Sequence, residues 1–274
     1  MFLAKSNLMK KRTLLIAGIV AIVISISIVT INFQNDLFYF ETMDYDGIPK
    51  AVIIDQLHKD YPSKSYQKEV TEILSKAGYK VDIVETDEVT LEFYKQLPSM
   101  NYKIIIFRGH SLGESNGVTK SASLFTGEVY THHKYIKEQF LDQVAIGVPY
   151  LFSELRETGG VDSQPANKTY FVVGSKMVDE LMVGNFDESI IILAGCETME
   201  GKLLADSFLK RGASDVIGWS GLIGVYNNDM VVTYLLNETL ANGLDIGEAV
   251  DYMNEQVDGQ VVFETAIVHQ TNGV

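Results

Sequence analysis

The sequence predicts an α/β domain with a mostly parallel central sheet, carried behind one apolar helix. Three observations lead there. From Ala51 onward, short apolar runs alternate with stretches of helical period. The segment from Thr13 to Phe33 holds no charged residue across 21 positions. The 274 residues are 46% hydrophobic, ample for a packed core. A single cysteine rules out an internal disulfide framework, a cysteine-based zinc site and an iron–sulfur cluster. A net charge of −14, with no basic patch, argues against nucleic acid as a partner.

The chain divides into an N-terminus (1–12), an apolar helix (13–33), a stalk (34–50) and one domain (51–274). At about 1.5 Å per residue, the apolar helix matches a hydrocarbon core of roughly 30 Å. Lys5, Lys10, Lys11 and Arg12 precede it, while Asp36, Glu41, Asp44 and Asp46 follow. That asymmetry predicts a single-pass signal anchor at the cell membrane, with a cytoplasmic N-terminus and an extracytoplasmic C-terminal domain. A cleaved signal peptide is the alternative, but the run exceeds the usual ~7–15 residues and no A-x-A site follows. A lipoprotein anchor is excluded because no cysteine lies near the span. Removing the four basic residues ahead of position 35 leaves 18 basic against 36 acidic side chains, a net of −18 on the exported part. Such a charge keeps a domain soluble and off an anionic lipid surface.

In the domain, Ala51–Ile54 reads as a buried strand. Pro62-Ser63 opens a helix whose Tyr66, Val70, Ile73, Leu74 and Ala77 share a face, and Gly78 stops it. Tyr79–Val84 is a strand, Leu91–Leu97 a short helix ended by Pro98, and Lys103–Phe107 a continuous apolar strand. Between Ser111 and Lys168 the pattern predicts a small hairpin, a helix near Lys134–Phe140 and surface loops. Thr169–Val173 is β-branched and aromatic enough for a short strand. A helix around Ser175–Met182 precedes the strand Ser189–Leu193. Met199–Arg211 is helical, with Leu204/Phe208 and Ala205/Leu209 at four-residue spacing and Gly212 as stop. Asp215–Trp219 is a strand and Met230–Leu240 a helix. Asp245 with Glu248 starts the next helix as a capping pair, and Val261–Val268 is the last strand-like run. The second of two sequons, at Asn167 and Asn237, falls inside a predicted helix.

Two strand ends carry candidate chemistry. One runs Ile104-Ile105-Ile106-Phe107-Arg108-Gly109-His110-Ser111. The other runs Ile190-Ile191-Ile192-Leu193-Ala194-Gly195-Cys196-Glu197-Thr198 and is expected to turn directly into a helix. Ligands of open parallel sheets sit beyond the carboxyl ends of strands. A cysteine there, meeting a helix N-terminus, would have a lowered pKa. A nearby histidine can exchange protons with substrate. A lone cysteine is otherwise a small buried hydrophobe, and a lone histidine a hydrogen-bonded loop residue. Both ending apolar strands favours the chemical reading.

These two segments resemble the caspase-like cysteine peptidase clan, in the branch of CHAT domains, separases and archaeal membrane-anchored relatives. Arg108-Gly109-His110-Ser111 matches the histidine motif, and Ala194-Gly195-Cys196-Glu197-Thr198 the cysteine motif. Leu204 to Phe208, Gly212-Ala213 and Val216-Ile217-Gly218-Trp219 then follow in the order of CHAT domains. The resemblance spans roughly Ala51 to Asn254. It implies a three-layer α/β/α caspase-like fold and a cysteine endopeptidase acting on a protein or peptide, with no cofactor and no metal. His110 and Cys196 would be the catalytic dyad, and the backbone N–H groups of Ser111 and Cys196 the oxyanion hole. Trp219 and Asp229 would bind substrate, Asp229 pairing with a basic residue at the cleavage site. The chain departs from the clan in placing Ser111 where glycine usually follows the histidine. Its acidic residue also lies ten positions after the tryptophan, against four in relatives.

Two alternatives stay open. One is a catalytically inactive caspase-like domain used for binding or sensing at the cell surface. The other rests on Gly109-His110-Ser111-Leu112-Gly113, which fits the G-x-S-x-G elbow of serine α/β-hydrolases. It would use Ser111 as nucleophile, His269 as base, and Asp245 or Asp251 as acid. Against it, Glu114-Ser115-Asn116-Gly117 reads as a turn where that elbow needs a helix. His132 and His133 are adjacent, so their side chains are expected to diverge, which disfavours a metal site. His58, beside Lys59 and Asp60, is expected to be solvated.

Overall fold

Strands of the main sheet are runs whose residues alternate between two hydrophobic layers. In the computed structural model, numbering along the chain, they are β1 (Lys50–Asp55), β2 (Lys80–Glu85), β3 (Tyr102–Arg108), β10 (Ile190–Ala194), β11 (Asp215–Trp219) and β12 (Ile267–Thr271). The structure describes residues 47–115, 120–152, 163–165, 168–257 and 265–272. The expected anchor at 13–33, its N-terminal flank and the stalk up to residue 46 lie outside the described residues. Among the described residues, no helix is long and apolar enough to cross a membrane.

The order across the main sheet is β12-β11-β10-β3-β1-β2. All neighbours are parallel except the edge pair β11–β12. Val52, Ile54, Ile105, Phe107, Ile191, Leu193 and Val216 face one layer. Ala51, Ile53, Ile104, Ile106, Ile192, Ala194 and Ile217 face the other. Strands covered on both faces explain the uninterrupted apolar runs.

The second layer receives α1 (Lys64–Lys76), α6 (Val225–Leu240) and α7 (Ile246–Val257). The first receives α2 (Leu91–Gln96), α4 (Ser175–Glu180) and α5 (Leu203–Lys210). Together they make three layers, α/β/α. Helix α1 buries Tyr66, Val70 and Leu74, and its Ser63 cap accepts the Tyr66 N–H, as its pattern predicts. Gly78, at φ +92, ends that stretch in a conformation that disfavours any other side chain.

Several expectations are corrected. The region after Ser111 is a four-stranded antiparallel sheet, in which β4 (Ser111–Ser115), β5 (Lys120–Val129), β9 (Tyr170–Val173) and β6 (Ala145–Gly147) lie in the order β4-β5-β9-β6. The run expected at Thr169–Val173 therefore belongs to this sheet, through pairing with β5 and β6. Glu114 and Ser115, expected in a turn, belong to β4. The helix expected near Lys134–Phe140 is present as α3 (Ile136–Phe140), and β4 and β5 pair antiparallel as the expected hairpin. A ribbon of β7 (Tyr150–Phe152) and β8 (Ser163–Pro165) is additional.

Helix α5 begins at Leu203 rather than Met199, because the N–H groups of Glu197 and Met199 bond the carbonyls of Gly221 and Trp219 instead of entering a helix. Helix α6 begins at Val225 rather than Met230. Its first turn is polar, and Asn228 and Asp229 turn inward to partners that no hydrophobic period reveals. The last strand runs Ile267–Thr271, and residues 261–264 of the run expected there lie outside the described residues. His132 and His133 do not diverge. They sit in a turn closed by Lys134 N–H to the Thr131 carbonyl, and their ring centroids are 3.6 Å apart. His58 is not simply solvated, since it lies 3.4 Å from Glu85 and 3.8 Å from Asp55.

Candidate active site

The neighbouring strands β3 and β10 bring the two motifs to one edge. Arg108 is in register with Ala194, so His110 and Cys196 each stand two residues beyond that pair. Both line one cavity of about 350 Å³, with Tyr61, Ser111, Glu197 and Ile223 among its walls. Close approach of the two strand ends depends on Gly195. A Cβ there would lie 2.5 Å from the Gly109 carbonyl oxygen and 2.7 Å from Ser111 Oγ.

The histidine loop is held by residues that follow β1. Gln56 Oε1 accepts the His110 backbone N–H at 2.8 Å. The His110 ring packs edge-on against Tyr61 and Phe125, at centroid distances of 6.1 and 5.9 Å. Its Nε2 approaches Asp60 Oδ2 at 3.5 Å and forms no hydrogen bond among the described residues. At that length the contact is a long polar approach rather than a formed hydrogen bond. His110 beside it holds the Asp60 carboxyl below the usual carboxylate range, so Asp60 is ionised at neutral pH. Neither Gln56 nor Asp60 is visible as a site residue in the sequence alone. The one available signal is position, because both follow a buried strand at the carboxyl edge of a parallel sheet.

Cys196 differs from its expectation. It meets no helix N-terminus, since α5 starts seven residues later, at Leu203. Its Sγ lies 3.4 Å from the Ile223 carbonyl oxygen and 3.5 Å from the Ile223 nitrogen. Burial pushes the thiol above its usual range. Backbone hydrogen bonding at Ile223 opposes that rise, and the negative charge of Glu197 adds to it. Glu197 is a left-handed residue, at φ 55, and its carboxylate accepts the Gly113 N–H at 3.1 Å. Glu197→Gln keeps an acceptor for Gly113 and removes the charge. Iodoacetamide alkylation of Cys196 should then shift to lower pH, with a rate at pH 7 roughly two- to fivefold higher. A pH profile identical to wild type would show that the charge does not control the thiol.

The other candidates fall in different places. The Ser111 hydroxyl donates to the Cys196 carbonyl. Ser111 opens an antiparallel strand and not a helix. His269 bonds Asp215 at 2.7 Å, at the start of β11 and so away from the carboxyl edge. Asp245 caps the start of α7 through the Gly247 N–H. The serine triad is therefore not assembled. Trp219, expected to bind substrate, is 3% exposed and packs in the core, its Nε1–H donating to Asn228 at 2.8 Å. Asp229, expected to pair with a basic substrate residue, already has its cation. Arg108 Nε and Nη2 donate to its two oxygens at 2.7 and 2.8 Å. Nη1 of the same guanidinium reaches the buried Asp55 at 2.7 Å. Neither Trp219 nor Asp229 borders the cavity of His110 and Cys196.

Fold and site together define a three-layer α/β protein in which a cysteine and a histidine from adjacent parallel strands share one cavity. No family model matches the chain, and no curated protein matches it. Among solved structures it is similar to the Drosophila initiator caspase Dronc, at 10% identity and a TM-score of 0.38. That match covers 81% of this chain and 79% of the other.

Proposed function

We propose that the chain is a caspase-like cysteine endopeptidase, of the branch that holds CHAT domains and separases, acting on protein or peptide substrates. The observation that carries this reading is the meeting of His110 and Cys196 in one cavity at the carboxyl edge of the sheet. In the reaction, Cys196 Sγ bonds to the scissile carbonyl carbon while its proton passes to His110. His110 then gives that proton to the leaving amine as the C–N bond breaks, leaving a thioester. Water, deprotonated by His110, attacks the thioester, releases the acid and restores the thiol. With Nε2 turned toward Asp60, Nδ1 is the nitrogen for these transfers. The His110 carbonyl accepts the Phe125 N–H. The alternation of an antiparallel ladder then turns the Ser111 N–H away from β5, which supports its use, with the Cys196 N–H, as an oxyanion donor.

A peptidyl acyloxymethyl ketone library, read by peptide mass spectrometry, tests the assignment. The adduct is expected on Cys196 and is expected to disappear in His110→Ala. One observation favours a second reading, a binding or sensing module without activity. The thiol is partly buried, raised in pKa and engaged with the Ile223 backbone. Absence of any adduct would select that reading.

The proposed location follows from the sequence around 13–33. The domain would stand outside the cell membrane on a single-pass anchor. Protease added to intact cells should remove the region after Phe33 and spare the first dozen residues. Protection of the C-terminal domain would reverse the orientation.

A further inference from the structure

Sheet topology separates the two sides of a bound peptide. Strand β10 lies between β3 and β11, so Cys196 stands between His110 on one side and the loop after β11 on the other. With Cys196 and His110 read as a peptidase dyad, on which this inference rests, the group that protonates the leaving amine faces the amine side of the cleaved bond. The acyl side then runs away from His110, over residues 220–225. That loop touches the reacting atom itself. The Ile223 carbonyl oxygen and nitrogen lie 3.4 and 3.5 Å from Cys196 Sγ. It is also held firmly, because the Glu197 N–H donates to the Gly221 carbonyl and the Gly221 N–H to Thr265 Oγ1 at 2.9 Å. The side chain next to an attacked carbonyl is carried by the atom bonded to that carbon, so it lodges against this loop.

The loop is apolar. Leu222, Ile223 and Val225 line the cavity, with Leu57 and Leu112 among its other walls. Ile223 is 4% exposed and packs in the core, whereas Leu222 and Val225 are half-buried and present surface to a substrate. Among the described residues, no lysine or arginine borders the cavity. An acidic substrate side chain would therefore leave water without a cation to meet it. The carboxylate on the wall is Glu197, and it is already engaged. It accepts the Gly113 N–H at 3.1 Å, and its charge acts on Lys120. We propose that the site selects an uncharged apolar residue, aliphatic or aromatic, on the acyl side of the cleaved bond. Leu222 and Val225 are the side chains that set this specificity.

Peptidyl acyloxymethyl ketones that differ only in the residue next to the ketone, namely leucine, phenylalanine, alanine, lysine or aspartate, test the proposal on the full chain. The measured quantity is the rate of Cys196 alkylation, read by peptide mass spectrometry and divided by the rate of each probe with free cysteine. Leucine or phenylalanine is expected to exceed lysine and aspartate at least tenfold. In Leu222→Ala the leucine probe should slow about fivefold relative to the alanine probe. In Val225→Asp, at a helix start that tolerates a carboxylate, the lysine probe should gain at least tenfold on the leucine probe. Labelling of Cys196 led by lysine or aspartate, or equal for all probes, keeps the peptidase reading and overturns the apolar site. A ranking unchanged in both variants overturns the assignment to Leu222 and Val225. No labelling by any probe removes the peptidase reading, and this inference with it.

Discussion

Cys196→Ala is expected to abolish peptide hydrolysis, whereas Ser111→Ala keeps a measurable part of it. The sulfur is the one atom whose loss leaves nothing to form the acyl intermediate. His110→Ala should cost nearly as much, about 10³-fold or more, because nucleophile and base act as a unit and their losses do not add. Asp60→Asn should cost less, about tenfold, since its contact to His110 is long and serves to orient the ring. The Ser111 hydroxyl is spent on the Cys196 carbonyl, so its removal loosens the loop without removing a nucleophile. Alanine at 111 also retains the backbone N–H of the proposed oxyanion site. Initial rates on a cleaved peptide, with the melting temperature as control for folding, decide the matter. Full activity in Cys196→Ala with none in Ser111→Ala would falsify the cysteine reading.

The second large effect is on stability and centres on Arg108. Its guanidinium is 1% exposed and is shared by Asp55, which is fully buried, Asp229 and the Tyr61 carbonyl. Removing it leaves the buried Asp55 and the partly buried Asp229 without their guanidinium partner. Arg108→Leu should therefore lower stability by about 3–5 kcal/mol, a fall in melting temperature on the order of 10 °C for a domain of this size. Adding Asp229→Asn to that variant should recover part of the loss, because one stranded charge disappears. Arg108→Lys should not substitute fully, since an ammonium cannot reproduce the fork that meets both oxygens of Asp229. An unchanged melting temperature in Arg108→Leu would show that the two carboxylates are neutralised in another way.

Arg108 also shows what a linear reading misses. In the sequence it stands only as the residue ahead of Gly109-His110, and Asp229 only as an acid after a tryptophan. Their separation of 121 residues hides a bidentate pair that ties the end of β3 to the first turn of α6. That pair removes Asp229 from any role as a vacant carboxylate awaiting a basic substrate residue. The polar first turn of α6 escapes a linear reading for the same reason. Tyr226, Asn227, Asn228 and Asp229 carry no hydrophobic period, because the inward positions are satisfied by hydrogen bonds instead.

What the sequence by itself determined is the frame. Runs buried on both faces, such as Ile104–Phe107 and Ile190–Leu193, have few other places to go in a chain of this size. They mark the central parallel strands, and with them the edge at which His110 and Cys196 emerge. What only the tertiary structure decided is the environment of those two groups. Asp60 and Gln56 reach His110 across about fifty residues of chain. The turn after Cys196 spends its N–H groups on the end of β11 rather than on a helix, so the thiol meets burial and Glu197 in place of a helix dipole. Hydrophobic periodicity records which side chains leave water. Hydrogen bonds and charges are set by whichever partner the folded chain brings near, and no local period records that.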